Sequence, residues 1–278
     1  MSEAAVNSAA MPRTVRPRSD APFIASLCIL GGTYVLLILA MLLADLQYTT
    51  DSHLWNALRS EEIRYSIKLS LITCSLTTIL SLWIAVPIGY LMSRYHFPLK
   101  SLLDAILDIP IILPPLVVGL SLLILFQTPI GKAIDRVFPV CYAIPGIVLA
   151  QFSVACAFAV RTMRSTFDEI SPRQEQVALT MGCSRSEAFW HVVMPQARGG
   201  LIAAAALAWA RSLGEFGPIL IFSGATRMRT EVLPTTVFLE LSVGDIEAAV
   251  AVSLIMICAA IVVLVLLRTF GLKKALQS

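Results

Sequence analysis

The sequence predicts an all-α integral membrane protein with six transmembrane helices and one long polar loop between the fourth and fifth. Three observations carry that expectation. Of 278 residues, 57% are hydrophobic and 14% charged, with a mean hydropathy of +0.81, whereas a soluble domain is about a quarter charged. The apolar residues fall in blocks long enough to cross a bilayer, which takes about 20 residues as a helix. The polar segment Ser171–Arg198 interrupts those blocks and carries helix-capping signals at two places.

Taken in order, residues 1–22 are polar, rich in Ala and Ser, carry Arg13, Arg16 and Arg18, and read as a disordered tail. Phe23–Ala44 contains no charge and is the first span. It is too long for a signal-peptide core and lacks a convincing cleavage site, so it reads as a retained anchor. Asp45–Arg64 is a polar loop, and Leu69–Met92 is a second uncharged span. The third span, Asp104–Phe126, contains Asp104, Asp108, Pro110 and the pair Pro114-Pro115. Prolines there free backbone groups that neighbours must satisfy. This is either a kinked structural helix or a helix lining a pathway. Gln127–Tyr142 forms a second loop, Ala143–Val160 a fourth span, and Gly199–Ala225 a fifth, interrupted by Arg211 and Glu215. A polar stretch, Thr226–Glu247, leads to a sixth span, Ala248–Leu267, and residues 268–278 form a basic tail.

The central loop predicts two short helices. Ser171-Pro172-Arg173-Gln174 has the form of a helix start: a capping side chain, proline at the first helical position, and Gln three residues on. Val177, Ala178 and Met181 then give an apolar stripe, and Gly182 ends the helix, since glycine takes a left-handed cap without strain. Ser184-Arg185-Ser186-Glu187 is a second capping box, followed by Ala188, Phe189, Val192 and Val193 on one face until Pro195. Two capped helices hinged at a glycine suit docking to a partner.

Charge gives the orientation. On the side of both termini lie Arg13, Arg16, Arg18, Arg94, Lys100, Arg164, Arg173, Arg185, Arg198, Arg268, Lys273 and Lys274, against Arg59, Arg64, Lys132, Arg136, Arg227 and Arg229 on the other. The positive-inside rule therefore places the termini and central loop in the cytoplasm. Ser52 and Thr230 are expected to face outward and Ser184 inward.

The fifth span holds Arg211-Ser212-Leu213-Gly214-Glu215-Phe216-Gly217. A charge at mid-membrane costs at least ~2.5–3.5 kcal/mol. Arg211 and Glu215, four apart, are expected on one helix face, where they can offset each other. Gly214 and Gly217 would let another backbone approach. Both a structural ion pair and a gate where two copies meet fit these residues.

Catalytic classes are excluded by missing parts. The sequence has no G-x-x-x-x-G-K-[ST] loop, no nucleophile elbow and no H-E-x-x-H, and His53, His96 and His191 are scattered. The six cysteines form no C-x-x-C or C/H cluster. The chain is therefore not expected to be an enzyme, to bind a metal or cofactor, or to contact nucleic acid.

The central loop resembles the EAA loop of bacterial ABC-importer permeases, E-A-A-x3-G-x9-I-x-L-P. Gln176-Val177-Ala178 stand at the triplet, with Glu175 one place before it, and Gly182, Val192, Met194 and Pro195 follow in register. Three further strings, Ile109 to Gly119, Arg211 to Gly217 and Glu231-Val232-Leu233-Pro234, look like the molybdate, tungstate and sulfate branch. The resemblance runs over a permease core of residues 65–267, with the coupling loop at 171–198. It implies a type I ABC-importer permease in the bacterial inner membrane, with two copies working alongside two cytoplasmic ATPase subunits that bind ATP and Mg. A periplasmic binding protein would deliver the substrate. It further implies that Glu175, Gln176, Ala178, Gly182, Ser184, Phe189 and Pro195 couple to the ATPase. Pro114, Pro115, Arg211, Gly214, Glu215 and Gly217 are then the pore or gate candidates.

Iron(III), phosphate and polyamine permeases share parts of these motifs. An ion-coupled secondary transporter is the alternative from another class, with Glu215 and Asp108 as its intramembrane carboxylates. It would be expected to show an internal repeat, and no clear one is found.

Overall fold

The computed structural model describes residues 21–49 and 51–275, so most of the 1–22 tail lies outside the described residues. Among the described residues all regular structure is helical. The chain divides into two units, residues 1–47 and 48–278. The first contributes helix α1 (Ala21–Tyr48), apolar on every side and long enough to cross a bilayer.

The second unit begins with α2 (Asp51–Arg59) and the long α3 (Glu61–Arg94), then α4 (Lys100–Ile112), α5 (Pro115–Gln127), α6 (Pro129–Val137) and α7 (Ile144–Glu169). The central loop forms α8 (Pro172–Thr180), α9 (Arg185–Ala188), a π turn over Phe189–Val193, and α10 (Met194–Gln196). It is followed by α11 (Arg198–Leu213), α12 (Gly217–Phe222), α13 (Leu233–Val243) and α14 (Ile246–Ala275). Among the described residues four helices are long and apolar enough to cross a membrane. The total rises to at most six if each of two sharply bent pairs is counted as one span, Lys100–Ile112 with Pro115–Gln127 and Arg185–Gln196 with Arg198–Leu213.

Helices α3, α7 and α11 form the centre. Small residues make it possible: Ala85 on α3, Ala155 and Ala159 on α7, and Ala204 and Ala208 on α11 are all wholly buried. Alanines let helix backbones approach closely where lipid offers no hydrophobic drive to associate. A column of hydroxyls on α3, including Ser66, Ser70, Thr73, Thr77 and Ser81, is buried against them. Gln151 of α7 ties three helices together, accepting from Thr77 at 3.0 Å and donating to the Ser212 carbonyl at 3.2 Å.

The third span is not one kinked helix. Helices α4 and α5 meet at 111° around Leu113 and Pro114, both extended, with ψ of 139° and 134°. Each precedes a proline, whose ring excludes its predecessor from helical geometry. One proline kinks a membrane helix; two in succession turn it. The fifth span is likewise broken, α11 ending at Leu213 and α12 restarting at Gly217-Pro218.

Thr230, expected outside on an exposed loop, is fully buried, its hydroxyl accepting from the Thr226 N–H at 3.1 Å. Arg229 beside it is exposed.

Candidate functional site

The central loop is pinned to the transmembrane body through its underside. Glu175 of α8 is buried. It accepts a short hydrogen bond from the Tyr90 hydroxyl and lies 3.4 Å from Arg94 Nε. Arg94 also donates from Nη2 to the Ile170 carbonyl at 2.8 Å, where α7 ends. Tyr90 and Arg94 are four apart on α3, so one helix face presents both to the loop. Phe189 packs edge-on against Tyr90 at 4.8 Å, and Phe167 against Tyr90 at 5.6 Å. Arg185 reaches the Tyr95 hydroxyl at 2.8 Å.

The expected stripe Val177–Ala178–Met181 is not the buried one. Ala178 is buried, but Val177 is 57% and Met181 80% exposed, and the inward face of α8 is Glu175 with Ala178, three apart. The charge points inward because Arg94 and Tyr90 wait there, and the apolar residues are left outside with Gln176 and Trp190. Ser171 also departs from expectation: it is the N-cap residue but makes no side-chain cap hydrogen bond. Ser184 does form its box, accepting from Glu187 N–H at 3.3 Å while Glu187 Oε2 accepts from Ser184 N–H at 2.7 Å. Those bonds hold the Glu187 carboxyl below its ordinary range.

Gly182 has φ of +93° with open space where a Cβ would stand, so its requirement is for backbone freedom alone. Pro195 does not end its helix: the chain widens into the π turn at Phe189–Val193 just before it and continues to Gln196. An extra residue in the turn relieves the crowding between a proline ring and the carbonyl four residues back.

The predicted gate residues are partly brought together. A Cβ on Gly217 would stand 3.0 Å from Leu116 N and 3.3 Å from the Pro115 carbonyl carbon, and one on Gly119 would stand 2.7 Å from Pro218 Cα. Glycines on α5 and at the start of α12 thus seat the second halves of both broken spans against each other. The close approach is within one chain, and Gly214 stays exposed with only its own helix's carbonyls near. Pro114 and Pro115 are exposed at the α4–α5 corner.

Arg211 Nη1 lies 2.8 Å from Glu215 Oε1, although Glu215 sits beyond the helix end. The pair survives because Gly214 remains near-helical and Glu215 N–H bonds the Ser212 carbonyl at 3.3 Å, extending the path by one tight turn. The partners differ in depth, Glu215 being 1% and Arg211 29% exposed at the side chain. Arg211 also lies over the Phe158 ring at 5.5 Å.

Sequence reasoning missed Tyr90 and Arg94 as site residues, and missed the way the charges of the third and fourth spans meet. Arg161 pairs bidentately with Asp108, with Nε–Oδ1 at 2.7 Å, and Arg164 pairs with Asp104. The signal lay in spacing: Asp104 and Asp108 are four apart on α4, Arg161 and Arg164 three apart on α7. Because α4 has no buried residue, these pairs are a large part of its attachment to α7. Replacing both aspartates with asparagine is expected to raise cysteine accessibility along α4 without changing the α3–α7–α11 core, as read by labelling kinetics.

Residues 85–273 match the family described as "Binding-protein-dependent transport system inner membrane component". The chain is 31% identical over 238 residues to the sulfate transport system permease protein CysT of Salmonella typhimurium, covering 84% of this chain and 86% of that one. It is 30% identical over 255 residues to the molybdenum transport system permease protein ModB of Mycobacterium bovis, covering 90% and 95%. Among solved structures, a chain of a bacterial alginate ABC transporter in complex with its oligosaccharide-bound periplasmic protein has the same fold. Its TM-score is 0.75 at 14% identity, over 92% of this chain and 96% of that one. The broken spans, the central helix pair and these matches together establish that the chain belongs to the family of ABC-importer permeases, the membrane components of binding-protein-dependent transport systems.

Proposed function

We propose that this permease imports an oxyanion, molybdate first and then tungstate or sulfate, powered by ATPase subunits docked on the central loop. The observation that carries the coupling role is the loop's two-sidedness: Glu175, Ala178 and Phe189 tie it to the membrane body, while Val177, Met181 and Trp190 present apolar surface outward. Apolar side chains on a loop rimmed by polar residues fit a protein partner better than solvent. In this reading two copies of the chain and two ATPases work together. ATP and Mg sit on the ATPase, and this chain binds no cofactor. When ATP draws the ATPases together, each pulls on one helix pair, and the buried Glu175–Arg94 contact passes the pull to α3. The substrate path runs between the two copies beside the broken spans, where Arg211 offers positive potential. A periplasmic binding protein delivers the anion and does most of the selecting. The relatives' named substrates, sulfate and molybdenum, support the oxyanion class. Iron(III), phosphate and polyamine importers of the same architecture, and an ion-coupled transporter, are the alternatives.

The test is ATP-dependent uptake into proteoliposomes holding the chain, its ATPase and its binding protein, comparing molybdate, tungstate and sulfate. Molybdate uptake that stops without ATP is expected. Uptake of iron(III), phosphate or polyamine alone would reject the oxyanion reading, and uptake driven by an ion gradient without ATPase would reject the coupling.

Orientation in the bacterial inner membrane, with both termini cytoplasmic, is checked by cysteine labelling of intact cells. Arg229→Cys should react from outside and Ser184→Cys should not; the reverse pattern would invert the topology. Gly182→Val should insert normally but lower ATPase association several-fold in a pull-down, since φ of +93° costs a side-chain-bearing residue about 1–2 kcal/mol. Gly182→Asn, which tolerates that conformation better, should lose less.

A further inference from the structure

Helix α6 has three distinct sides. Facing inward are Gly131, where a Cβ would come within 2.5 Å of Phe126 Cα, and Asp135, whose carboxylate accepts from the Val140 and Cys141 N–H groups at 2.7 and 2.8 Å. A second side is apolar and open: Ile130 is 76% and Val137 87% exposed, with Ile134 between them. The third side carries Lys132 and Arg136, four apart and exposed; no ion pair to either is found among the described residues. Asp135 is turned inward and already bonded, so the outer surface of the helix is apolar on one side and cationic on the other.

We propose that α6 is a membrane-surface helix, its Ile130–Ile134–Val137 side seated among phospholipid acyl chains and Lys132 and Arg136 on the phosphates. Three observations support this occupant over a protein. The helix starts two residues after α5, an arm of a membrane-spanning pair, ends at Gln127. Thr128 fixes that junction, donating to the Leu125 carbonyl at 2.6 Å and accepting from the Gly131 N–H at 3.2 Å, so α6 is held at the span's end. Its apolar side is also continuous, through Phe138, with an open apolar groove of about 560 Å³ between the spans α3 and α7, lined by Leu80, Trp83, Ile144 and Phe152. That groove has almost no polar lining, as a surface bathed in acyl chains should. Finally, a helix with an apolar side and a basic side is the form that lies in a bilayer interface, gaining from buried area and from attraction to lipid phosphate.

The proposal rests on the chain being a membrane permease but on neither its substrate nor its ATPase. The experiment uses the full-length chain in phospholipid nanodiscs, with a spin label introduced through a genetically encoded amino acid so that the native cysteines stay in place. Labels at Ile130 and Val137 are compared with labels at Lys132 and Arg136 for collision with oxygen, which concentrates in lipid, and with a water-soluble nickel chelate. The expected result is preferential oxygen collision at 130 and 137, and preferential nickel collision at 132 and 136. Low collision with both reagents at 130 and 137 would mean that a protein, such as a second copy, covers the face, and would overturn the proposal. Nickel access on both sides would overturn it too, making α6 a solvated loop helix. All four positions are at the surface, so labels there leave the packed core intact.

Discussion

Glu175→Ala is expected to detach the central loop while leaving the transmembrane core folded. The change removes the buried partner of Arg94, whose side chain is 9% exposed and cannot recover full hydration in place. Stranding one member of a buried ion pair costs about 3–5 kcal/mol. That is enough to change the loop's docked-to-undocked ratio by more than a hundredfold, at 1.36 kcal/mol per factor of ten. Hydrogen exchange across α8 to α10 should rise sharply, exchange in α3, α7 and α11 should change little, and ATPase association should fall with the loop's order. Replacing both partners with leucine should recover much of the loop's protection, because the stranded charge goes with the lost bond. If Glu175→Ala leaves loop exchange unchanged, the aromatic contacts of Phe189 hold the loop and the charge is incidental. Had Glu175 been an exposed ATPase contact, association would fall with no change in exchange at all.

The second large effect concerns Arg211 and Glu215. Their unequal burial predicts unequal losses: Arg211→Gln strands a carboxylate that is 1% exposed, whereas Glu215→Gln leaves a cation that is 29% exposed and still lies over Phe158. Arg211→Gln should therefore impair assembly more than Glu215→Gln, and the double substitution should regain part of the loss. Coupling between contacting partners of this kind is typically about 0.5–3 kcal/mol. Thermal stability in detergent and transport in proteoliposomes read separate quantities here. A double variant that assembles normally yet does not transport would assign Arg211 to the anion path in addition to the pair. Strictly additive losses would reject the pairing.

What the sequence could fix by itself was whatever depends on local spacing and composition. Long apolar blocks gave the expectation of six spans, since the bilayer sets a minimum length for any helix that crosses it, and the described helices supply four to six. Ser184 with Glu187 gave a capping box, and Gly182 a left-handed turn, because both depend on neighbours within a few residues. The EAA-like spacing and the strings around Pro114 and Arg211 gave the family, and the fold and the relatives agree with it.

Tertiary structure decided everything that depended on what a side chain would meet. Val177, Ala178 and Met181 form a respectable helical stripe, yet α8 turns it outward. Tyr90 and Arg94, some eighty residues away, make Glu175 the better residue to bury. The third span's prolines suggested a kinked or pathway-lining helix, but neither the full break nor that Gly119 and Gly217 would lock the two broken spans together, because each glycine's neighbour lies about a hundred residues from it. Thr230 looked like loop surface and is fully buried. The physical reason is common to all three. Helix propensity, caps and bilayer length are near-neighbour terms readable along the chain, whereas which face of an amphipathic segment is buried depends on its partners, and burying an ionised side chain is tolerable only where an opposite charge is already in place.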